Sequence, residues 1–136
     1  MTIIVDTSLW IAALRDRSGA VALRLRTEIG SESVVMAPPI RLELLQGCRG
    51  EPEWRAILAR VDAFETVVMA PSAWDGAAKI YFRLRQDGLT VRSALDCSIA
   101  QLCIDHDAML LHCDRDFVTI ATVAPLKQRP IVLDKA

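Results

Sequence analysis

Five acidic side chains occupy sequence positions where an isolated charge is costly. Each lies among apolar residues or closely follows an apolar run, and none has a lysine beside it: Asp6, Glu43, Asp96, Asp114 and Asp116. A carboxylate in apolar surroundings requires a hydrogen bond, an opposite charge or a metal ion. Carboxylates gathered in one pocket also repel one another, so a cluster needs raised pKa values or a bound cation. The pattern therefore predicts a carboxylate site that holds a cation.

The ligand types favour a hard divalent ion. Oxygen ligands without clustered histidine or cysteine select Mg²⁺ or Mn²⁺ over zinc. Cys103 and His106 are close in sequence, but no second ligand pair has the spacing of a zinc site. Bound Mg²⁺ or Mn²⁺ activates water and neutralises charge during phosphodiester cleavage, so this chemistry is the first to consider.

Each acid also has an ordinary structural interpretation. Asp6 suits a helix N-cap, and Asp96 suits the third position of a capping box. Glu43 suits the first turn of a helix, where the helix dipole favours negative charge. Asp114 and Asp116 are typical turn residues. From the residues alone, both interpretations stay open for every one of the five acids.

Short apolar runs and helix-start signals define the elements that would position the acids. Five runs predict strands: Thr2–Val5, Ser33–Met36, Thr66–Met69, Met109–Leu111 and an edge strand at Pro130–Leu133. Apolar spacing and capping signals predict helices after Asp6, over Val21–Ile29, around Leu42–Leu45, over Glu53–Phe64, from Ser72 to Gln86 and after Ser93.

The alternation of these strands and helices predicts an α/β protein with a mostly parallel sheet and helices on both faces. In an open parallel sheet, ligands bind at the carboxyl ends of the strands. Asp6 follows the first predicted strand directly, and Asp114 comes soon after Met109–Leu111. We therefore expect these two acids to lie at the ligand-binding edge of the sheet.

Length and composition predict one compact domain spanning residues 1–136. The chain has 136 residues, of which 52% are hydrophobic, and a net charge of −1, which argues against a disordered protein. The longest run without a charged residue is too short for a membrane span, which needs about 20 apolar residues. We see no secretion signal, so we expect a cytoplasmic protein, without membrane partners, whose four cysteines are reduced.

Four motifs, taken in order, resemble the PIN-domain ribonucleases and are most similar to the VapC toxins of bacterial toxin–antitoxin pairs. They are Val5-Asp6-Thr7-Ser8-Leu9-Trp10-Ile11, Glu43-Leu44-Leu45-Gln46-Gly47, Asp96-Cys97-Ser98-Ile99-Ala100 and Asp114-Arg115-Asp116-Phe117. The resemblance covers essentially the whole chain. It implies a PIN-like three-layer α/β/α domain with a central, mostly parallel sheet of four or five strands.

The same resemblance implies roles for individual residues. It implies that all five acids are catalytic. It also implies that four of them bind an Mg²⁺ ion, or alternatively Mn²⁺, and these four are Asp6, Asp96, Asp114 and Asp116. Glu43 would help to deprotonate water, and Ser8 would orient Asp6 or water. Because they stand near the acids in sequence, we select four arginines as candidate RNA contacts: Arg15, Arg41, Arg92 and Arg115.

The resemblance implies an endoribonuclease toxin that cleaves RNA, with tRNA and ribosomal RNA as the expected targets. Its partners would be a cognate VapB-type antitoxin, in a toxin–antitoxin hetero-oligomer, and a second copy of the chain in a homodimer. Five apolar residues are candidates for the antitoxin groove, although core packing explains them equally well: Trp10, Leu14, Leu44, Leu45 and Trp54.

Two other functions compete with the nuclease. The first is a non-catalytic α/β module that binds RNA or protein, for which the acids would be dispensable. The second is a receiver-like phosphotransfer domain, which requires an acidic pair beside the first strand, whereas Asp6 stands alone there.

Overall fold

A computed structural model describes residues 1–133 of the chain. Four strands form one parallel sheet in the order β2-β1-β3-β4. The strands are β1 (Thr2–Val5), β2 (Ser33–Val35), β3 (Ala108–His112) and β4 (Gln128–Pro130). The helices are α1 (Thr7–Arg15), α2 (Ala20–Ile29), α3 (Pro38–Gln46), α4 (Glu51–Asp62), α5 (Pro71–Gln86), α6 (Ala94–Asp105) and α7 (Arg115–Ile120).

Side chains on the two faces of the sheet build two separate apolar cores. Successive residues of a strand point to opposite faces. Ile3 and Val5 accordingly pack with Leu25 of α2 on one face. Ile4 packs on the other face into a larger cluster, which includes Ile80 of α5. The arrangement is the predicted three-layer α/β/α sandwich, with four strands in its sheet.

The central strands β1 and β3 bring distant parts of the sequence to one edge. Val5 pairs with Leu111, and the Asp6 N–H donates to the Leu111 carbonyl at 2.9 Å. Strand β2, the next in the sequence, pairs with one side of β1, and β3 pairs with the other side. The strand order therefore reverses at β1. Such a reversal opens a crevice at the carboxyl ends of the strands. The segments that follow β1 and β3 border that crevice.

The prediction of a strand at Thr66–Met69 was wrong. Only Thr66 forms a bridge, with Met36, and Val67 donates its N–H to the Met36 carbonyl at 2.9 Å. Val68 is 77% exposed, so the apolar run does not supply a buried strand. The segment leaves the edge of the sheet at once, because α5 begins at Pro71.

Two element starts also differ from the prediction. Helix α5 begins at Pro71, with Ala70 as its N-cap, rather than being capped by Ser72. Proline suits the first helical position because its fixed φ is helical and its missing N–H would be unpaired there. Strand β4 covers Gln128–Pro130 and shares only Pro130 with the predicted strand, although Ile131 still donates its N–H to the His112 carbonyl at 2.7 Å.

Helix α7 was not predicted, because the structural interpretation of Asp114 and Asp116 was a turn. Asp114 caps this helix by accepting a hydrogen bond from the Asp116 N–H at 3.0 Å. Within residues 1–133, no helix has the length and apolar character needed to cross a membrane.

Candidate metal centre

Three of the predicted acids meet at the crevice. Asp96 lies in the first turn of α6, and Asp114 and Asp116 lie at the start of α7. One oxygen from each of these carboxylates lies within 4.8 Å of the others. Asp114 and Asp116 also line an open cavity of about 800 Å³. The site is therefore a cluster of oxygen ligands that is accessible from solvent.

Asp6 lies beside this cluster and is both a helix cap and a buried carboxylate. Its Oδ2 accepts hydrogen bonds from the Ser8 N–H at 3.1 Å and from the Ser8 hydroxyl at 2.6 Å. Burial raises the pKa of Asp6, and the negative charge of Asp114 adds to the effect. The N-cap interpretation is thus confirmed for Asp6, and Ser8 holds the carboxylate that forms the cap.

Glu43 is held towards the same crevice by a residue that sequence reasoning missed. The Thr7 hydroxyl donates a hydrogen bond to Glu43 Oε1 at 2.8 Å. Burial raises the pKa of Glu43, and the charge of Asp6 raises it further. Thr7 directly follows Asp6, so one short segment at the start of α1 orients two of the five acids.

Asp96 carries the largest electrostatic perturbation among these acids. Its pKa rises to about 7, first because it is buried and then because Asp6, Asp114, Glu43 and Asp116 repel its charge. The charges of the other four acids therefore all act on Asp96. Oxygen-only ligands that repel one another suit a hard divalent cation, which would relieve the repulsion.

Arg92 makes direct cationic contacts to the cluster. Its Nη2 lies 2.5 Å from Asp114 Oδ2, and its Nε lies 3.3 Å from Asp116 Oδ2. Its backbone N–H also donates to Asp116 Oδ2 at 3.1 Å. The hydrogen bonds to Asp116 and Asp114 raise the pKa of Arg92. Arg92 lies directly before Ser93, the N-cap of α6.

A buried histidine fixes the backbone of Asp114. His112, at the end of β3, is fully buried, and its Nδ1 accepts the Asp114 N–H at 3.2 Å. Its Nε2 lies 2.7 Å from Gln128 Oε1 on β4. Since Nδ1 accepts, Nε2 carries the proton and donates to Gln128. A polar residue in the apolar run before Asp114 was the signal that sequence reasoning left unused.

The other predicted arginines have different surroundings. Arg115 lines the acidic cavity together with Arg92. Arg15 lines a neighbouring cavity of about 410 Å³ that includes Glu43. Arg41 instead pairs with Asp62 of α4, with Nη1 and Oδ1 2.7 Å apart. Two of the four arginines, Arg92 and Arg115, thus line the cavity that Asp114 and Asp116 border.

The candidate groove residues are divided between core and surface. Leu44 is buried in the larger core, whereas Leu45 is half-buried. Trp10 packs edge-on against Phe64, with ring centroids 5.4 Å apart, and Trp54 is 41% exposed. Leu14 lines two cavities near α1, one of which also includes Glu43.

Comparisons with known proteins agree with this arrangement. The family model of the PIN domain matches residues 3–123. Ribonuclease VapC11 of Mycobacterium tuberculosis and VapC ribonuclease Mb1587 of Mycobacterium bovis are each 32% identical over 128 residues, which cover 92% of this chain and 96% of theirs. The VapBC2 structure from Rickettsia felis, bound to a promoter DNA fragment, superimposes with a TM-score of 0.76 at 15% identity, covering 97% of this chain and 100% of that one.

The fold is thus that of a PIN domain. The likeness to the Rickettsia structure supports the fold, and the mycobacterial relatives define the subfamily. The chain belongs to the VapC ribonucleases of the PIN-domain family.

Proposed function

We propose that this protein is an Mg²⁺-dependent endoribonuclease that acts as the toxin of a toxin–antitoxin pair. The observation that carries the proposal is the convergence of Asp96, Asp114 and Asp116, with carboxylate oxygens within 4.8 Å of one another, in a cluster where the pKa of Asp96 is about 7. Asp6 completes the proposed metal ligands, and Mn²⁺ can replace Mg²⁺ because both prefer carboxylate oxygen.

We assign a chemical task to each remaining residue. When bound, the metal ion supplies an activated water and offsets charge on the phosphate. Glu43, held by Thr7 and with a raised pKa, accepts a proton from water. Ser8 keeps Asp6 oriented towards the cluster. Arg92 and Arg115 line the cavity and bind the phosphate backbone of RNA.

Membership of the family supports a proposal for the substrate and the partners. We take the substrate to be tRNA or ribosomal RNA, bound also by Arg15, while the pairing of Arg41 with Asp62 makes Arg41 the weakest candidate. The Rickettsia VapBC2 complex supports a VapB-type antitoxin as partner, and we expect a homodimer within the hetero-oligomer. Residues 1–136 would act as one domain in the cytoplasm, where these RNAs are found.

Expression of the chain without an antitoxin tests this function. Induction should arrest growth and fragment RNA, whereas Asp6→Asn and Asp114→Asn should abolish both effects at matched protein levels. RNA binding through Arg15 and Arg115 should survive in these variants, because phosphate contacts and cleavage depend on different residues. Asp75→Asn, which alters an exposed acid on α5, is the matched control and should stay toxic.

Equal toxicity of the Asp6 and Asp114 variants would refute cleavage as the cause. The non-catalytic binding module would then explain the phenotype.

A further inference from the structure

Arg92 is held at the acid cluster by two different parts of the residue. Its backbone N–H is fixed on Asp116 at 3.1 Å, and the neighbouring Val91 is buried. Its side chain is 79% exposed, and its polar contacts within residues 1–133 are those to Asp114 and Asp116. The main chain is therefore anchored, whereas the guanidinium is kept in place by the two carboxylates.

Those two carboxylates also belong to the proposed metal ligands. Asp114 and Asp116 each contribute an oxygen to the cluster of three acids. Both contacts of the Arg92 side chain are made to the Oδ2 atoms of these residues. A guanidinium that holds these oxygens and a divalent cation that binds them compete for the same negative charge.

We propose that Arg92 is the cation of the metal-free site, is displaced from Asp114 and Asp116 when a divalent ion binds, and then turns its guanidinium to the RNA phosphate in the same cavity. The inference rests on the proposed function. It gives Arg92 two successive partners, so that the phosphate-binding group becomes free only in the metal-loaded protein.

The relative strengths of the interactions that Arg92 and a divalent cation make with the two carboxylates favour this exchange. An ion pair with such an exposed arginine is weak, so a divalent cation displaces it readily. The backbone hydrogen bond to Asp116 keeps the released guanidinium at the cavity. Guanidinium binds phosphate oxygens bidentately, which makes RNA a good second partner.

Calorimetric titration of the metal-free protein with Mn²⁺ tests the exchange. Arg92→Gln keeps a polar side chain but removes the charge, so it should bind Mn²⁺ about two- to fivefold more tightly than the parent. Metal-free Arg92→Gln should also melt at a lower temperature, because the acids lose their counter-charge, and saturating Mn²⁺ should close that gap. Arg85→Gln, an exposed change of equal charge on α5, should leave Mn²⁺ affinity unchanged.

The same variant should bind RNA less well despite its tighter metal binding. We expect the KM for RNA to rise at least about tenfold, the cost of losing a charge-assisted phosphate contact. Wild-type or weaker Mn²⁺ affinity in Arg92→Gln would overturn the exchange, and so would an unchanged KM. Failure of the parent to bind Mn²⁺ would instead remove the proposed function together with this inference.

Discussion

Replacing Asp96 with asparagine should stabilise the metal-free protein, even though it removes a proposed metal ligand. The folded protein raises the pKa of Asp96 from 3.8 to about 7, through burial and the charges of neighbouring acids. The folded state therefore binds this proton more tightly than the unfolded state does. The stabilisation that the bound proton of Asp96 provides is complete below about pH 4 and is lost as the pH rises towards 7.

The size of the effect follows from that pKa difference. The full shift corresponds to about 4 kcal/mol above pH 7. Asp114 and Asp116, which lie next to Asp96, line an open cavity, so solvent screening reduces the value, and we expect about 2 kcal/mol. The asparagine of the variant carries no charge at any pH, so the stability difference between variant and parent should grow between pH 4 and pH 7 and then level off.

Urea unfolding in EDTA at pH 4.5 and pH 8 measures the difference. Asp96→Asn should be more stable than the parent at pH 8, and its advantage at pH 4.5 should be at most about half as large. Added Mg²⁺ should stabilise the parent and not the variant, because a ligand that binds only the folded state raises its stability. Asp75→Asn, an exposed change on α5, should show neither effect.

A variant that is less stable than the parent by the same amount at both pH values would refute this reasoning. That result would mean that Asp96 serves mainly as a favourable first-turn carboxylate of α6.

Two further changes test the residues that position the acids. His112→Leu leaves the Asp114 N–H and the Gln128 side chain without their partner, so urea unfolding should show a loss of about 2–3 kcal/mol, and Mn²⁺ titration weaker binding. His112→Asn, which keeps an acceptor, should lose less. Thr7→Val removes the hydrogen bond that lowers the pKa of Glu43, so the acid limb of the pH–rate profile should move to higher pH, while Thr7→Ser should restore it.

The sequence predicted the layers of the fold because its strongest signals are local. Ile3, Ile4 and Val5 read as a buried strand, and they are buried on alternate faces of the sheet. The run Thr66–Met69 looks equally apolar, but tertiary context overrides its propensity, since the chain must turn into α5. Whether such a run pairs depends on the neighbouring backbone, and periodicity alone cannot show it.

The candidate site was predictable where a residue type is unusual for its surroundings. Isolated acids in apolar segments revealed Asp6 and Asp96, and the structure places both at the crevice. The contacts of Thr7, Arg92 and His112 were not predictable, because each joins segments that are far apart in sequence. Only the folded chain shows which of 13 arginines reaches Asp114.

Cleavage of a labelled RNA by the purified, antitoxin-free protein tests the central claim most directly. The protein should be inactive in EDTA and should regain activity when Mg²⁺ or Mn²⁺ is added in excess, because the acid cluster needs a cation. Asp6→Asn, purified in the same way, should stay inactive under both conditions. Cleavage by this preparation would reveal a contaminating nuclease. Undiminished cleavage in EDTA by the parent, with no cleavage by the variant preparation, would contradict a metal-dependent mechanism.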